Sequence, residues 1–432
     1  MVKLSQCMIV KNEEKNIERA LNWAKPVAYE QIVVDTGSTD RTVELAEKAG
    51  AKVFHFEWIK DFSAAKNYAI EQATGNWIAF LDADEYLSPE DAEKLIKKLE
   101  SIKNERDMSK STTILTMPWV QLEDNGEASS IDQQSRIFRN IKEIRYVGRI
   151  HEQVSVYGNI MYVDNISIMH TGYALTEHKE KKKSERNVEL LREELKHKPN
   201  DLITKAYLAD SLQSKTILDE YKNEEEVAEV DELFMEVITS DAPMLGFLKK
   251  KAFIYHIGKV WNDPEKQKEC DELCEKAYKK FPDDLELGYY HALMLNNKGE
   301  YAKAWRILKK LEPALTSDTD FKLGNTMLVL TEPKMIFGQL LIAAQGLEDV
   351  ENTITYATIL LTSDKTQNNI LTPYIHTLLK HNTSEDEILG LLANIYDITS
   401  PGDLLLIARA AKDCGAIEFA KLIMMLAEEQ MR

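Results

Sequence analysis

Apolar positions in the first 175 residues fall into short runs separated by stretches of helical spacing. Residues 4–10 (LSQCMIV), 31–35 (QIVVD), 51–56 (AKVFHF) and 77–81 (WIAFL) read as buried strands. Between them Ile17, Ala20, Leu21 and Ala24 share one helical face, and the spacing predicts further helices over 41–49 and 62–73, the former stopped by Gly50. Strands alternating with helices of this length predict βαβ units, an α/β fold and a largely parallel sheet. Parallel strands bring their C-terminal ends side by side, at the rim where open sheets bind ligands. Lys11, the turn 35–40 and residues 82–85 then lie along one rim.

From Glu177 onward the spacing is helical. The charged stretch 178–186 opens a helix that runs through Val188, Leu191 and Leu195 and stops before Pro199. Helices are predicted over 202–214, 224–238, 245–260, 265–281, 285–297, 301–311, 333–345, 350–361, 385–396, 402–411 and 417–429. The segment between Pro282 and Pro313 reads as helix, turn, helix, proline, close to the ~34-residue period of a tetratricopeptide unit. The expected organisation is an α/β domain over 1–175, a linking helix over 176–200 and an all-α, tetratricopeptide-like solenoid over 201–432. Stacked helix pairs present a concave face suited to a peptide or a second subunit. Tyr289, Tyr290, Tyr301 and Trp305 read as core between helices, while the Leu-, Ile- and Met-rich final helices read either as a cap or as a homodimer seam.

Composition narrows the partners. The chain has 432 residues and a formal charge of −18, with acidic residues in excess on both sides of Leu175, which argues against nucleic acid or an anionic membrane surface. Its four cysteines show neither disulfide nor zinc spacing and suit buried thiols in a reducing compartment. No apolar run approaches the ~18 residues of a membrane span, and no signal-peptide core is present at the N-terminus, so a cytoplasmic location is expected.

The chemistry concentrates where the run WIAFL ends in Asp82, Ala83, Asp84 and Glu85. Two carboxylates one residue apart at a strand end can give one oxygen to a hard divalent cation and another to a ligand hydroxyl. Asp35, also at a strand end, can accept from a uracil imide or a sugar hydroxyl, or serve as a turn carboxylate beside Ser38 and Thr39. Lys66 and Arg41 are cations on helices that start at the rim. Neither a G-x-G-x-x-G nor a G-x-x-x-x-G-K loop occurs, which weighs against a dinucleotide dehydrogenase and a P-loop enzyme. Arg136 and Arg139 lie three apart in a predicted strand over 131–139 and face opposite sides, so only one enters the cleft, and Arg136 is the choice.

The ordered series CMIVKNEE, VVDTGSTDRT, DFSAAKN, WIAFLDADE, SRIFRN, GRIHE and HTGY resembles the family 2 glycosyltransferases of the GT-A fold, over roughly residues 1–190. It is most similar to a bacterial subgroup, including peptide S-glycosyltransferases, in which tetratricopeptide-like helices follow that domain. The resemblance implies an inverting transfer from a nucleotide sugar, usually a UDP-sugar, with Mn²⁺ or Mg²⁺. It implies a donor site of Val10, Lys11, Asn12, Glu13, Asp35, Ser38, Lys66, Asp82, Ala83 and Arg136. Asp84 and His170 become the metal ligands, with Asp82 directed to the donor ribose or also to the metal. Glu152, or else His151, becomes the base that takes the acceptor's proton. Lys11 stands where many members have an aromatic residue, and Thr36 where a second aspartate is commoner, which leaves the donor base open. The acceptor expected is a peptide side chain; the alternatives are a cell-envelope saccharide, or a peptide-binding scaffold whose transferase domain is inactive.

Overall fold

The computed structural model describes residues 2–102, 108–123, 125–171, 177–218, 223–242, 246–316 and 332–431. Of the expected features, Gly172 and Tyr173 of the HTGY motif and the start of the predicted helix at 245 lie outside them. The strands are β1 Leu4–Val10, β2 Glu30–Asp35, β3 Lys52–His55, β4 Trp77–Phe80, β5 Glu85–Leu87, β6 Thr112–Leu122, β7 Ala128–Arg139, β8 Tyr146–Val147, β9 Gln153–Val154, β10 Asn159–Tyr162 and β11 Ile168–His170. Nine form one sheet in the order β3-β2-β1-β4-β7-β6-β11-β5, with β10 pairing to β6; β8 and β9 form a separate ribbon.

The first four strands are parallel, as the alternating pattern predicts. The sheet as a whole is mixed, because β7 runs antiparallel to both β4 and β6 and β5 runs antiparallel to β11. The cause is local: β6 turns directly into β7 around Gly126, whose φ of +83° suits a glycine, and so short a link joins only antiparallel neighbours.

Alternation along β1 sends side chains to opposite faces. Cys7, with Ile32, Val34, Ile78 and Phe80, packs under α3 (Phe62–Gln72) against Ala69 and Ile70. Met8 and Val10 pack with Ile17, Ala20 and Leu21 of α1 (Ile17–Asn22) and Ala46 of α2 (Thr42–Lys48). Trp77, Ala79 and Leu81 meet Ala92, Leu95 and Leu99 of α4 (Pro89–Ser101), a helix capped by Ser88, whose hydroxyl accepts from the Asp91 N–H. Chain crossings are close at Gly75, where a Cβ would sit 2.5 Å from the Lys3 carbonyl oxygen.

The helical part begins with α5 (Glu177–His197), α6 (Leu202–Leu218) and α7 (Glu224–Thr239). By packing, the chain divides into two compact units, and these three helices group with the sheet: the described residues up to Lys249 form one unit and those from Lys250 the other. The second unit is made of helices, among them Gln267–Lys280, Leu285–Asn297, Tyr301–Leu311, Lys334–Gly346, Val350–Ser363, Pro401–Asp413 and Ile417–Gln430, close to the predicted spans. Asn368–Lys380 is a helix that the pattern does not predict, because Pro373 lies inside it. Tyr289 and Tyr356 are buried among these helices. No helix among the described residues is long and apolar enough to cross a membrane.

Candidate active site

Register assembles the site. Gln121 of β6, His170 of β11 and Glu85 of β5 are neighbours across three paired strands. His170 Nε2 lies 3.2 Å from Asp84 Oδ2, and its Nδ1 lies 2.6 Å from Gln121 Oε1. The imidazole stacks on Trp119, ring centroids 4.3 Å apart. With Nδ1–H donating to Gln121, a neutral ring turns its Nε2 lone pair toward the carboxylate, an arrangement that either a shared cation or a proton relieves. Thr171 secures the loop by donating its N–H and its hydroxyl to the Asp84 carbonyl, at 3.1 and 3.2 Å, and accepts from Arg19 at 2.6 Å.

Asp82 has a different neighbourhood. Lys66 Nζ lies 3.2 Å from its Oδ1 and Arg136 Nη2 3.2 Å from its Oδ2. Desolvation alone would raise the Asp82 pKa, but these two cations outweigh it and bring the carboxyl down to about 2. Lys66 also meets Glu152 Oε1 at 2.8 Å, so one ammonium joins the loop after β4 to residues 148–152. Its side chain is only 2% exposed and lies against the rings of Phe80 and Tyr146. Burial would lower the lysine's pKa; Asp82 and Glu152 reverse that and hold it above its ordinary value. Arg136 is held further above its own by Glu85 and Asp82, against the opposing effect of burial.

Glu85, 1% exposed, is the hub of the loop. It accepts from the Asp82 N–H at 2.9 Å, Arg136 at 2.7 Å and the Trp119 indole at 2.8 Å. Arg139 faces the other way, with its guanidinium over the Trp77 ring at 4.2 Å, as period-two geometry requires. Arg41 pairs with Glu44 on an exposed helix surface.

The loop after β1 is laced to the 35–42 turn. The Asn12 N–H donates to Ser38 Oγ, Asn12 Oδ1 accepts from the Thr39 N–H, and the Glu13 N–H donates to Thr42 Oγ1. Asn12 adopts φ +59° to do so. Asp35 is buried and accepts the N–H groups of Gly37 and Ser38, which is the turn role that Ser38 and Thr39 suggest; its Oδ2 lies 3.5 Å from His55 Nδ1. Val10 and Ala83 are buried beneath this loop and Lys11 is exposed. Burial raises the Glu13 pKa, with Asp84, Asp40 and Asp82 adding to the effect.

Trp119, Gln121, Tyr146 and Tyr207 escape the sequence reading. Residues 112–122 are β-branched and apolar enough to suggest a strand, but Pro118 argues against an interior one. The register between β6 and β7 shifts between Leu115 and Met117, next to that proline. Among the described residues no group of three or more His, Cys, Asp or Glu could hold a metal ion. Asp84 and His170 are thus a two-residue donor set.

Residues 5–108 match the family model described as glycosyl transferase family 2. The chain is 38% identical over 156 residues to a TPR repeat-containing protein of Synechococcus elongatus, covering 36% of each chain. It is 32% identical over 199 residues to the SPbeta prophage-derived glycosyltransferase SunS of Bacillus subtilis, covering 45% of each. The matches therefore span less than half the length of these relatives. Among solved structures, S. aureus TarS 1-349 overlays at 16% identity and a TM-score of 0.35, covering 68% of this chain and 91% of that one. Glucosyl-3-phosphoglycerate synthase from Mycobacterium tuberculosis, in complex with Mn²⁺, UDP and glucosyl-3-phosphoglycerate, overlays at 22% and 0.23, covering 27% and 44%. These overlays are too partial to carry an argument about activity. The family model and the glycosyltransferase relatives identify the chain as one that carries a glycosyl transferase family 2 domain at the head of a long helical array.

Proposed function

We propose that the protein transfers a sugar, with inversion, from a nucleotide-sugar donor to an acceptor, using Mn²⁺ or Mg²⁺. The observation that carries this reading is the meeting of Asp84 and His170 at a strand-end rim, 3.2 Å apart, beside the Asp82–Lys66–Glu152 chain. Two protein ligands suit a hard divalent ion that completes its shell with diphosphate oxygens and water, and the imidazole favours Mn²⁺ over Mg²⁺. Asp82, already shared by two cations, is better placed to accept from a donor hydroxyl than to bind metal. When bound, the cation would neutralise charge on the departing diphosphate.

The remaining work falls to side chains. Val10, Lys11, Asn12, Glu13, Asp35 and Ser38 form the nucleoside side of the donor site, with a UDP-sugar as the first choice of donor. Lys66, Asp82, Ala83 and Arg136 form the sugar and phosphate side. Glu152 takes the proton of the acceptor as its heteroatom attacks the anomeric carbon and the bond to the diphosphate breaks. The adjacent His151 is turned instead onto Tyr207, which favours Glu152 as the base.

For the acceptor we propose a peptide side chain held by the helices beyond residue 200, arranged as a tetratricopeptide-like array; a cell-envelope saccharide is the rival. The functional division then remains 1–175, 176–200 and 201–432. The four free cysteines, three of them buried, suit the cytoplasm. Exposed Leu405, Ile417, Met424 and Met425 on the last helices suit a homodimer seam.

Thermal shift with UDP, GDP and CDP, with and without Mn²⁺, tests the reading. Metal-dependent stabilisation by one nucleotide is expected, and Asp84→Ala should abolish it while the metal-free melting temperature holds. Unchanged stabilisation in Asp84→Ala would remove the metal assignment.

A further inference from the structure

Residues 148–152, which carry Glu152, bend through two left-handed positions. Gly148 has φ +96°, which glycine adopts freely, and His151 has φ +52°, an uncommon conformation for a residue with a side chain. The loop is held from two sides. On one, α3 supports it: the Phe62 N–H donates to the Arg149 carbonyl at 2.9 Å, the Ser63 hydroxyl to the Gly148 carbonyl at 2.5 Å, and the Asn67 side-chain amide exchanges bonds with the Tyr146 backbone at 2.9 Å.

On the other side stand helices that follow the sheet. Arg149 Nε pairs with Glu194 of α5 at 3.2 Å. The His151 ring lies flat on Tyr207 of α6, with centroids 4.0 Å apart and planes 8° apart. His151 Nε2 is buried and has no hydrogen-bond partner among the described residues. Burial also lowers this histidine's pKa, which favours the neutral ring. An imidazole in that state is placed by its face, and its face rests on Tyr207. The bend at His151 is what returns Glu152 to Lys66, 2.8 Å away.

Building on the assignment of Glu152 as the base, we propose that Tyr207 is a positioning residue: its ring, stacked on His151, holds the 148–152 loop in the bend that presents Glu152 to the acceptor. Tyr207 sits on a helix beyond the glycosyl transferase segment, so this part of the helical array completes the reaction centre. Burial raises the pKa of the Tyr207 hydroxyl and the neighbouring Gln153 side chain opposes that rise, an influence that substitution can separate from the stack.

The test uses the full chain with Tyr207→Leu, Tyr207→Phe, His151→Gly and the double variant Tyr207→Leu/His151→Gly. Leucine keeps bulk without an aromatic face, and phenylalanine keeps the face without the hydroxyl. Tyr207→Leu should speed amide exchange in residues 149–153 about 10-fold, and lower kcat about 10-fold with donor KM within about 2-fold. Tyr207→Phe should restore both, and Tyr207→Leu should change neither further once His151→Gly has removed the ring. Wild-type exchange in Tyr207→Leu, or equal loss in Phe and Leu, overturns the proposal. Sugar transfer absent even from the wild-type chain would overturn the transferase reading instead, and the exchange comparison would still decide whether the stack holds the loop.

Discussion

A lysine that is 2% exposed keeps its charge only when carboxylates meet it, and Lys66 has two, Asp82 and Glu152, on loops some 70 positions apart in sequence. Lys66→Met would leave both without their shared cation, and about 3–5 kcal/mol of stability should be lost, readable as a shifted urea midpoint. Arginine should rescue little, because its planar fork does not fit a point-charge site between two rings. Glu152→Gln keeps shape, so donor affinity should hold while transfer falls roughly 100-fold or more. Full transfer in Glu152→Gln with loss in His151→Ala would move the role of base to the histidine. Much of this constellation is legible beforehand: Asp82, Asp84 and His170 fall at strand ends, Lys66 lies on a helix that starts at the rim, Glu152 falls just before β9, and Arg136 is singled out within β7 by the period of two. What the sequence hides is the support around them. Trp119 and Gln121 become partners of Glu85 and His170 only through the register of β6 and β11, which no local pattern encodes.

Among the elements, β2 shows how the far edge of the sheet is tied. Glu30 at its start accepts from the Ser5 hydroxyl of β1, the Thr74 N–H and hydroxyl ahead of β4, and the Lys52 ammonium of β3. Burial alone would raise its pKa; Lys52 and the hydrogen bonds from Thr74 and Ser5 outweigh burial and hold it at about 2. A carboxyl depressed on folding contributes stability that is complete above its unfolded pKa, about 4.3, and is lost as pH falls from there toward 2. Glu30→Gln should therefore cost about 2–3 kcal/mol at pH 7, discounted for the exposed Lys52, and flatten the acid limb of a stability profile. An acid limb identical to wild type in that variant would remove the assignment. The parallel strands are readable because each hydrophobic run is bounded by turn residues. The mixed half is not, because β10 and β11 are four and three residues long and draw their identity from the strands they join.

For the whole molecule, packing places α5, α6 and α7 with the sheet and the later helices in a unit of their own. A chain cut after Lys249 should then keep nucleotide- and metal-dependent stabilisation, while one cut after Leu195 loses α6 and with it the ring beneath His151. Thermal shift and donor hydrolysis on the two truncations check this; equal hydrolysis by both would show α6 to be dispensable. Loss of peptide transfer in the longer truncation, with hydrolysis intact, would assign acceptor capture to the later helices. The seam at residues 249 and 250 also bears on how such a chain can diversify. On the proposed reading, a genetic crossover beyond it would exchange the helices assigned to the acceptor and leave Asp82, Asp84, Glu152 and Tyr207 together. A crossover at the end of the sheet delivers a transferase whose Glu152 loop has lost one of its two supports, so the heritable module is longer than the catalytic domain it contains.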